Sequence, residues 1–389
     1  MAFRLRVLTF TSLAHFSNDG VFLIFPLLIV YYSTEKHISV VFLGILSIVY
    51  TLLSGLLSPF IGDKADKMDR DSELISLGIL LEGVSMALFA LSFVTLTIPA
   101  LTLGALLLGI GQAFYHPLGG AVLSRTFGKS SGRALGVNGS LGSLGRALMP
   151  SIVSFLILAL GEVLGLGVFT IYMIFAALLI YIGLRRVRKE SVSVMRKASE
   201  KLDGRFYTFL IILGSLVFLR SMFITGTTTF IADFVYSVYL TKAFTGLFLT
   251  IGFLGSVLGQ PAFGWITERV GGRMSFILSS VISVISFGVF LAYPNDVYVS
   301  LSSYTVFTFS AFTAFPILLG YVGQVFPRSF YTVANSYIWG IGNTVGGAVG
   351  NAVITMLLDL HYSLAFSFLI LFTIAVISTV LSPLIPKRV

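Results

Sequence analysis

Apolar runs long enough to cross a bilayer recur from one end of the chain to the other, and that recurrence leaves few folds open. About twenty apolar residues span a membrane as a helix. Inside lipid the backbone must satisfy its own hydrogen bonds, so such runs are read as helices. Twelve stand out, at about 5–31, 38–61, 73–94, 98–122, 134–160, 164–184, 206–232, 243–267, 274–293, 297–322, 332–358 and 363–384. Of 389 residues, 56% are hydrophobic and 11% charged, against roughly a quarter charged in a soluble domain. A soluble globule and a disordered chain are both excluded. Twelve spans at ~20 residues use about 240 positions. The rest suits short loops and one longer linker, with no room for a separate soluble enzyme domain. The expected fold is an all-α polytopic membrane protein.

The net charge of +9 does not point to nucleic acid, because the basic residues sit in short stretches between spans. Alternate loops and the termini hold 21 Lys and Arg, eight of them between Arg185 and Arg205; the opposite loops hold two, Lys36 and Lys242. Basic loops stay on the cytoplasmic side. Both termini and the 185–205 connector are therefore expected in the cytoplasm of a cell whose cytoplasmic membrane holds the chain. With no cysteine, disulfides, thiolate metal sites and a cysteine nucleophile are excluded.

The two halves resemble each other at an offset near 200 residues. Pro59 and Gly62 end the second span as Pro261 and Gly264 end the eighth. The loop from Gly62 to Arg70, with Asp66 and Lys67, is matched by Gly264 to Arg273, with Glu268 and Arg269. Pro117 in the fourth span matches Pro316 in the tenth, and glycine stripes recur at 136, 139, 142 and 145 and at 342, 346, 347 and 350. Parallel six-helix repeats are a transporter architecture, in which two bundles rock about a central site. The expected division is a bundle at 1–184, a linker at 185–205 and a second bundle at 206–389, giving two pseudo-symmetric six-helix bundles. Gly128-Lys129-Ser130 resembles the end of a phosphate loop, but Leu123 stands where its glycine is required. Asn138-Gly-Ser140 fits a glycosylation pattern but falls inside a span. No nucleotide or other cofactor is expected.

The duplicated loop and the six-plus-six layout resemble the major facilitator superfamily. Within it, His15-Phe-Ser-Asn18-Asp19, Phe114-Tyr115-His116-Pro117 and Leu219-Arg220-Ser221 are similar to the fosmidomycin-resistance type of drug exporter. Asp69, Asp71 and the displaced Pro150 depart from the family pattern. The resemblance implies a secondary transporter working by alternating access, with proton-coupled efflux of a small organic or drug-like molecule by antiport. It also implies that Gly62, Asp66, Lys67, Arg70, Gly264, Glu268, Arg269 and Arg273 latch the cytoplasmic ends together. The glycine stripe, Gly139 and Gly142 included, serves either gating or plain helix packing.

Six polar side chains lie well inside the expected spans: His15, Asp19, Glu82, His116, Arg146 and Arg220. A charge at mid-bilayer costs roughly 2.5–3.5 kcal/mol on the insertion scale and faces a cavity or a partner. His15 and Asp19, four apart, share one helix face. By the resemblance, spans 1, 4, 7 and 10 line a central chamber holding His15, Asp19, His116 and Arg220. The expected proton carrier is Asp19, with His15 and His116 as relay and Glu82 as a further coupling candidate. Arg220 either pairs with Asp19 as a structural link between halves or binds an anionic substrate through two parallel hydrogen bonds. Asn18, Gln112, Tyr115, Phe312 and Tyr337 are further candidate substrate contacts, with Gln260, Asn335 and Asn343 behind them. Arg146 is expected either to pair with Glu82 or to take part in coupling. The expected partners are a small-molecule substrate, protons and the lipid bilayer, with the protein acting as a monomer. An importer or facilitator, an intramembrane enzyme built on His15–Asp19–His116, and a receptor on a transporter fold remain as alternatives.

Overall fold

The computed structural model describes residues 2–67, 70–95, 97–128, 131–185, 187, 204–326, 334 and 337–386. The backbone of Asp66 and Lys67 of the expected latch continues the second helix, but their side chains, Asn335 and most of the 185–205 linker lie outside the described residues. Twelve apolar helices are long enough to cross a membrane: α1 (Ala2–Glu35), α2 (Val40–Lys67), α3 (Asp71–Ser92), α4 (Thr97–Phe127), α5 (Ser131–Leu160), α6 (Glu162–Leu184), α7 (Gly204–Tyr239), α8 (Lys242–Val270), α9 (Gly272–Ala292), α10 (Val297–Val325), α11 (Tyr337–Asp359) and α12 (Leu364–Leu384). Every expected span has its helix. With twelve crossings, both ends of the chain lie on one side, here called the terminal side.

Three helices are irregular where uninterrupted spans were expected. α1 breaks at Val21–Leu23, just after Asp19, and tight bonds from Phe22 N to Asp19 O (3.1 Å) and Ile24 N to Val21 O (3.0 Å) carry the turn. Pro26 has no N–H to offer Phe22, so the regular ladder cannot continue through this point. α10 breaks at Phe312–Thr313 for the same reason, four residues before Pro316. The freed Phe312 carbonyl accepts a bond from Gln260 Nε2 at 2.7 Å. In the first half, Pro117 frees the Ala113 carbonyl, which accepts from Ser58 Oγ at 3.0 Å. Ser58 and Gln260 are 202 positions apart, so the repeat extends to how each half re-satisfies a proline-broken bond. Gln260, considered as a substrate contact, is therefore committed to the backbone. α11 begins with a wide π-type segment, Tyr337–Val345.

Within each half the helices are tied by backbone-directed side chains. Arg6 donates to the Gly183 carbonyl (2.8 Å) and the Ile182 carbonyl (2.7 Å). Arg273 donates to the Ile385 carbonyl (2.8 Å) and the Pro383 carbonyl (2.6 Å). Arg273, expected in the latch, thus caps the end of α12 inside its own half.

The halves meet on the side away from the termini. Lys242 pairs with Glu35 there and lies over the Tyr31 ring (4.7 Å). Ser151 Oγ donates to the Gly246 carbonyl (3.2 Å), and Ser154 Oγ to that of Lys242 (3.3 Å). Deeper, Asn351 Nδ2 reaches Thr51 Oγ1 (3.4 Å). Toward the terminal side, α1 and α5 together line a cleft of about 340 Å³ with Leu8, Thr9, Ser12, Leu13, Phe16, Val137 and Leu141.

Candidate functional site

Asp19 is the meeting point of three helices. Its side chain is 5% exposed. Its Oδ2 lies 2.5 Å from an Arg146 guanidinium nitrogen on α5 and 3.4 Å from His15 Nε2, one turn earlier on α1. Its Oδ1 lies 3.4 Å from His116 Nε2 on α4 and accepts from Asn18 Nδ2 at 3.2 Å. His116 is 52% exposed, so the cluster has a buried end and an open one.

The close fit of α1 against α5 depends on two glycines. A Cβ on Gly142 would enter the His15 ring, and one on Gly145 would collide with the Phe16 carbonyl. Small residues allow this approach in lipid. Gly139 has open space where its Cβ would stand, and Gly62 and Gly264 each have a proline Cβ as nearest neighbour, both at 3.7 Å.

Asn138 lies one turn before Gly142 and two before Arg146, so all three share a face of α5. His15 Nδ1 is 2.8 Å from Asn138 Oδ1, which also accepts from the Tyr115 hydroxyl at 2.9 Å. Asn138 Nδ2 reaches Ser12 Oγ at 3.4 Å, at the edge of the cleft. With the amide oxygen toward His15, Nδ1 carries a proton. Nε2 then meets the carboxylate favourably only if a second proton lies between ring and acid. Turning the amide over would present NH2 to Nδ1 and leave a neutral ring donating from Nε2. The orientation of the Asn138 amide and the tautomer of His15 are therefore linked.

Arg146 lies between two aromatic rings, Phe22 on α1 (4.8 Å) and Phe312 at the α10 break (5.1 Å). A guanidinium over ring faces is stabilised by their quadrupoles. Phe312 belongs to the second half, so the charge cluster touches that half through an apolar ring.

Several expected pairings are absent among the described residues. Glu82 does not pair with Arg146; both its oxygens are buried without a hydrogen-bond partner, and its Cγ packs where a Gly111 side chain would stand. An ionised carboxylate there has nothing to offset its lost hydration. Arg220 does not pair with Asp19 but donates to Ser279 Oγ (3.4 Å) and to the Ser310 and Ala311 carbonyls (3.2 and 3.0 Å), all within the second half. Tyr115 has its hydroxyl bonded to the Thr11 carbonyl (2.9 Å) and Asn138 rather than open to a ligand. Asn343 accepts from Ser221 Oγ at 2.9 Å. Gln112, one turn before His116 on α4, is half-buried, and Tyr337 is exposed on the π-type segment. Of the remaining latch candidates, Arg269 stacks on Trp265 within its own helix (4.8 Å), and Arg70 and Glu268 are exposed.

His15, Asp19 and His116 offer ligand atoms within 4.8 Å of one another, a spacing that suits a divalent metal. Arg146 occupies one carboxylate oxygen and adds a positive charge, which opposes a cation at that point.

A family model described as Major Facilitator Superfamily matches residues 10–241 and 213–388. The chain is 24% identical over 305 residues to an uncharacterized MFS-type transporter, YfnC, of Bacillus subtilis strain 168, covering 75% of this chain and 72% of that one. It is likewise 24% identical over 341 residues to the fosmidomycin resistance protein of Escherichia coli K12, covering 81% and 78%. The Bacillus relative is named as a transporter. With matches running almost end to end over twelve membrane helices, the chain belongs to the major facilitator superfamily and is a multi-pass membrane transporter.

Proposed function

We propose that this transporter exchanges protons for a small organic molecule by alternating access, exporting it across the cytoplasmic membrane with both termini in the cytoplasm. Residues 1–184 and 206–389 are the two moving bundles and 185–205 their connector; the protein works as a monomer. The observation that carries the reading is the Asp19 cluster: a buried carboxylate held by two histidines and an arginine, one histidine reaching open space. Protons enter or leave through His116, pass to the His15–Asp19 pair and alter the hold on Arg146. Glu82 stores a second proton behind them. The apolar cleft beside Ser12 suits an amphipathic substrate, and Phe312, Gln112 and Tyr337 are assigned to it as further contacts made in the cycle. The resistance named for the Escherichia coli relative makes fosmidomycin the first compound to try.

Arg146 favours a second reading. A proton on Asp19 weakens its grip on Arg146 and frees the guanidinium for an anionic group, so proton and anion bind together. That logic is symport, and it serves an importer.

The test uses proteoliposomes with an internal pH dye and an imposed pH gradient. Export by antiport requires fosmidomycin and protons to move in opposite directions, and symport requires the same direction. In either case Asp19→Asn abolishes coupling while the purified variant keeps its helix content. Equal coupled flux in wild type and Asp19→Asn would remove Asp19 from the mechanism.

A further inference from the structure

Arg220 differs from the other arginine buried in the helices. Arg146 has Asp19. Arg220 is 6% exposed, and its partners are a serine hydroxyl, two backbone carbonyls and the Phe276 ring at 5.6 Å. All are neutral, and among the described residues no carboxylate pairs with it. Carbonyls and a ring face ease the burial of a cation but leave its formal charge uncompensated. A charge at membrane depth ordinarily has a counter-charge or water.

Beside it, between α7, α9 and α12, is a small, partly open cavity lined by Arg220, Ser280, Ser283, Ser378 and Thr379 together with apolar side chains. A sphere the size of a water molecule fits, and its centre can range over about 10 Å³. That suits one water or one monoatomic ion and excludes sulfate or phosphate. The donors left for an occupant can be named. Ser283 donates to the Ser279 carbonyl (2.7 Å), Ser378 to that of Leu216 (3.1 Å) and Thr379 to that of Ala375 (2.8 Å). Arg220 Nε and Ser280 Oγ are buried and have no hydrogen-bond partner. Two unmatched donors, one of them charged, line a cavity of single-ion size. A water could accept both bonds but would leave the charge standing.

We propose that this cavity binds one monoatomic anion, chloride in the cell, held by Arg220 Nε–H and the Ser280 hydroxyl. The site is internal to the second half and independent of the Asp19 cluster. It gives Arg220 a charge partner other than Asp19 or a substrate.

The test compares thermal unfolding of the purified transporter in sodium chloride, bromide, sulfate and gluconate at equal ionic strength. Chloride and bromide should raise Tm saturably by a few degrees over gluconate, and sulfate should not. Ser280→Ala loses one hydrogen bond to the anion and should weaken the apparent affinity by about tenfold. Ser280→Leu fills the cavity and should remove the halide response while keeping the fold. Should Ser280→Leu fail to fold, anomalous diffraction from bromide-soaked wild-type crystals answers the same question, with a peak expected between Arg220 Nε and Ser280 Oγ. Equal Tm in chloride and gluconate, or no bromide peak there, overturns the proposal.

Discussion

The Asp19–Arg146 pair makes a quantitative prediction. Its atoms are 2.5 Å apart, with side chains 5% and 13% exposed. Opposite charges at ~4 Å with an effective dielectric near 20 attract by about 4 kcal/mol. Removing one partner of a buried pair leaves the other charge uncompensated and costs about 3–5 kcal/mol. Asp19→Asn leaves Arg146 with its two rings and an Nε that already lacks a hydrogen bond. Arg146→Met leaves Asp19 with two imidazoles at 3.4 Å and no fixed positive charge. The double variant has no stranded charge, so it should cost less than the sum of the two singles, by about 2–3 kcal/mol. The assay is reversible denaturant unfolding in mixed micelles at pH 7.5, applied to wild type, both singles and the double. Additivity within about 0.5 kcal/mol at pH 7.5 would refute the claim that the two charges are a functional unit.

Other expectations follow from single contacts. Lys242→Ala removes the ion pair to Glu35 on the far side; an exposed pair is worth about 0.2–1 kcal/mol, so opening there should rise by up to about fivefold, read as faster thiol labelling of a single cysteine near residue 35 in this cysteine-free chain. The effect should fade in high salt, and unchanged labelling would deny the pair a gating role. Gly55→Val leaves no room against Thr344 between α2 and α11, so it should hold the far side open and raise the same labelling further; protection equal to wild type would show that the gap closes without this contact. Asn138→Leu removes the partner of His15 Nδ1 and should move or flatten the pH profile of transport without changing helix content; an unaltered profile would separate Asn138 from the proton site.

The spans were legible because burial in lipid imposes one dominant pattern, a long apolar run, on every helix. The breaks in α1 and α10 were less so. Pro26 and Pro316 were visible, but prolines 59, 117, 150 and 261 lie inside continuous helices. Whether a proline breaks or merely bends a helix depends on what its neighbours offer the freed carbonyl. Candidate charges were equally visible, since each stands out in an apolar run, but their pairing was not. Arg146 and Asp19 are 127 positions apart, and choosing Asp19 over Glu82 depends on how α5 rolls against α1, which Gly142 and Gly145 decide. Asn138 was passed over because it is uncharged. Its spacing from Gly142 and Arg146 was the available signal.

The ring of Phe312 against Arg146 has a consequence for the speed of the transport cycle. In the proposed cycle, when the halves separate, the charge cluster gives up an aromatic face to the second half, not an ion pair or a hydrogen bond between named groups. Dispersion and quadrupole contacts fall away smoothly with distance and demand no partner in return. On that proposal the moving bundle slides past the charged cluster much as a bearing turns on a greased surface, and the proposed proton steps stay inside the first half.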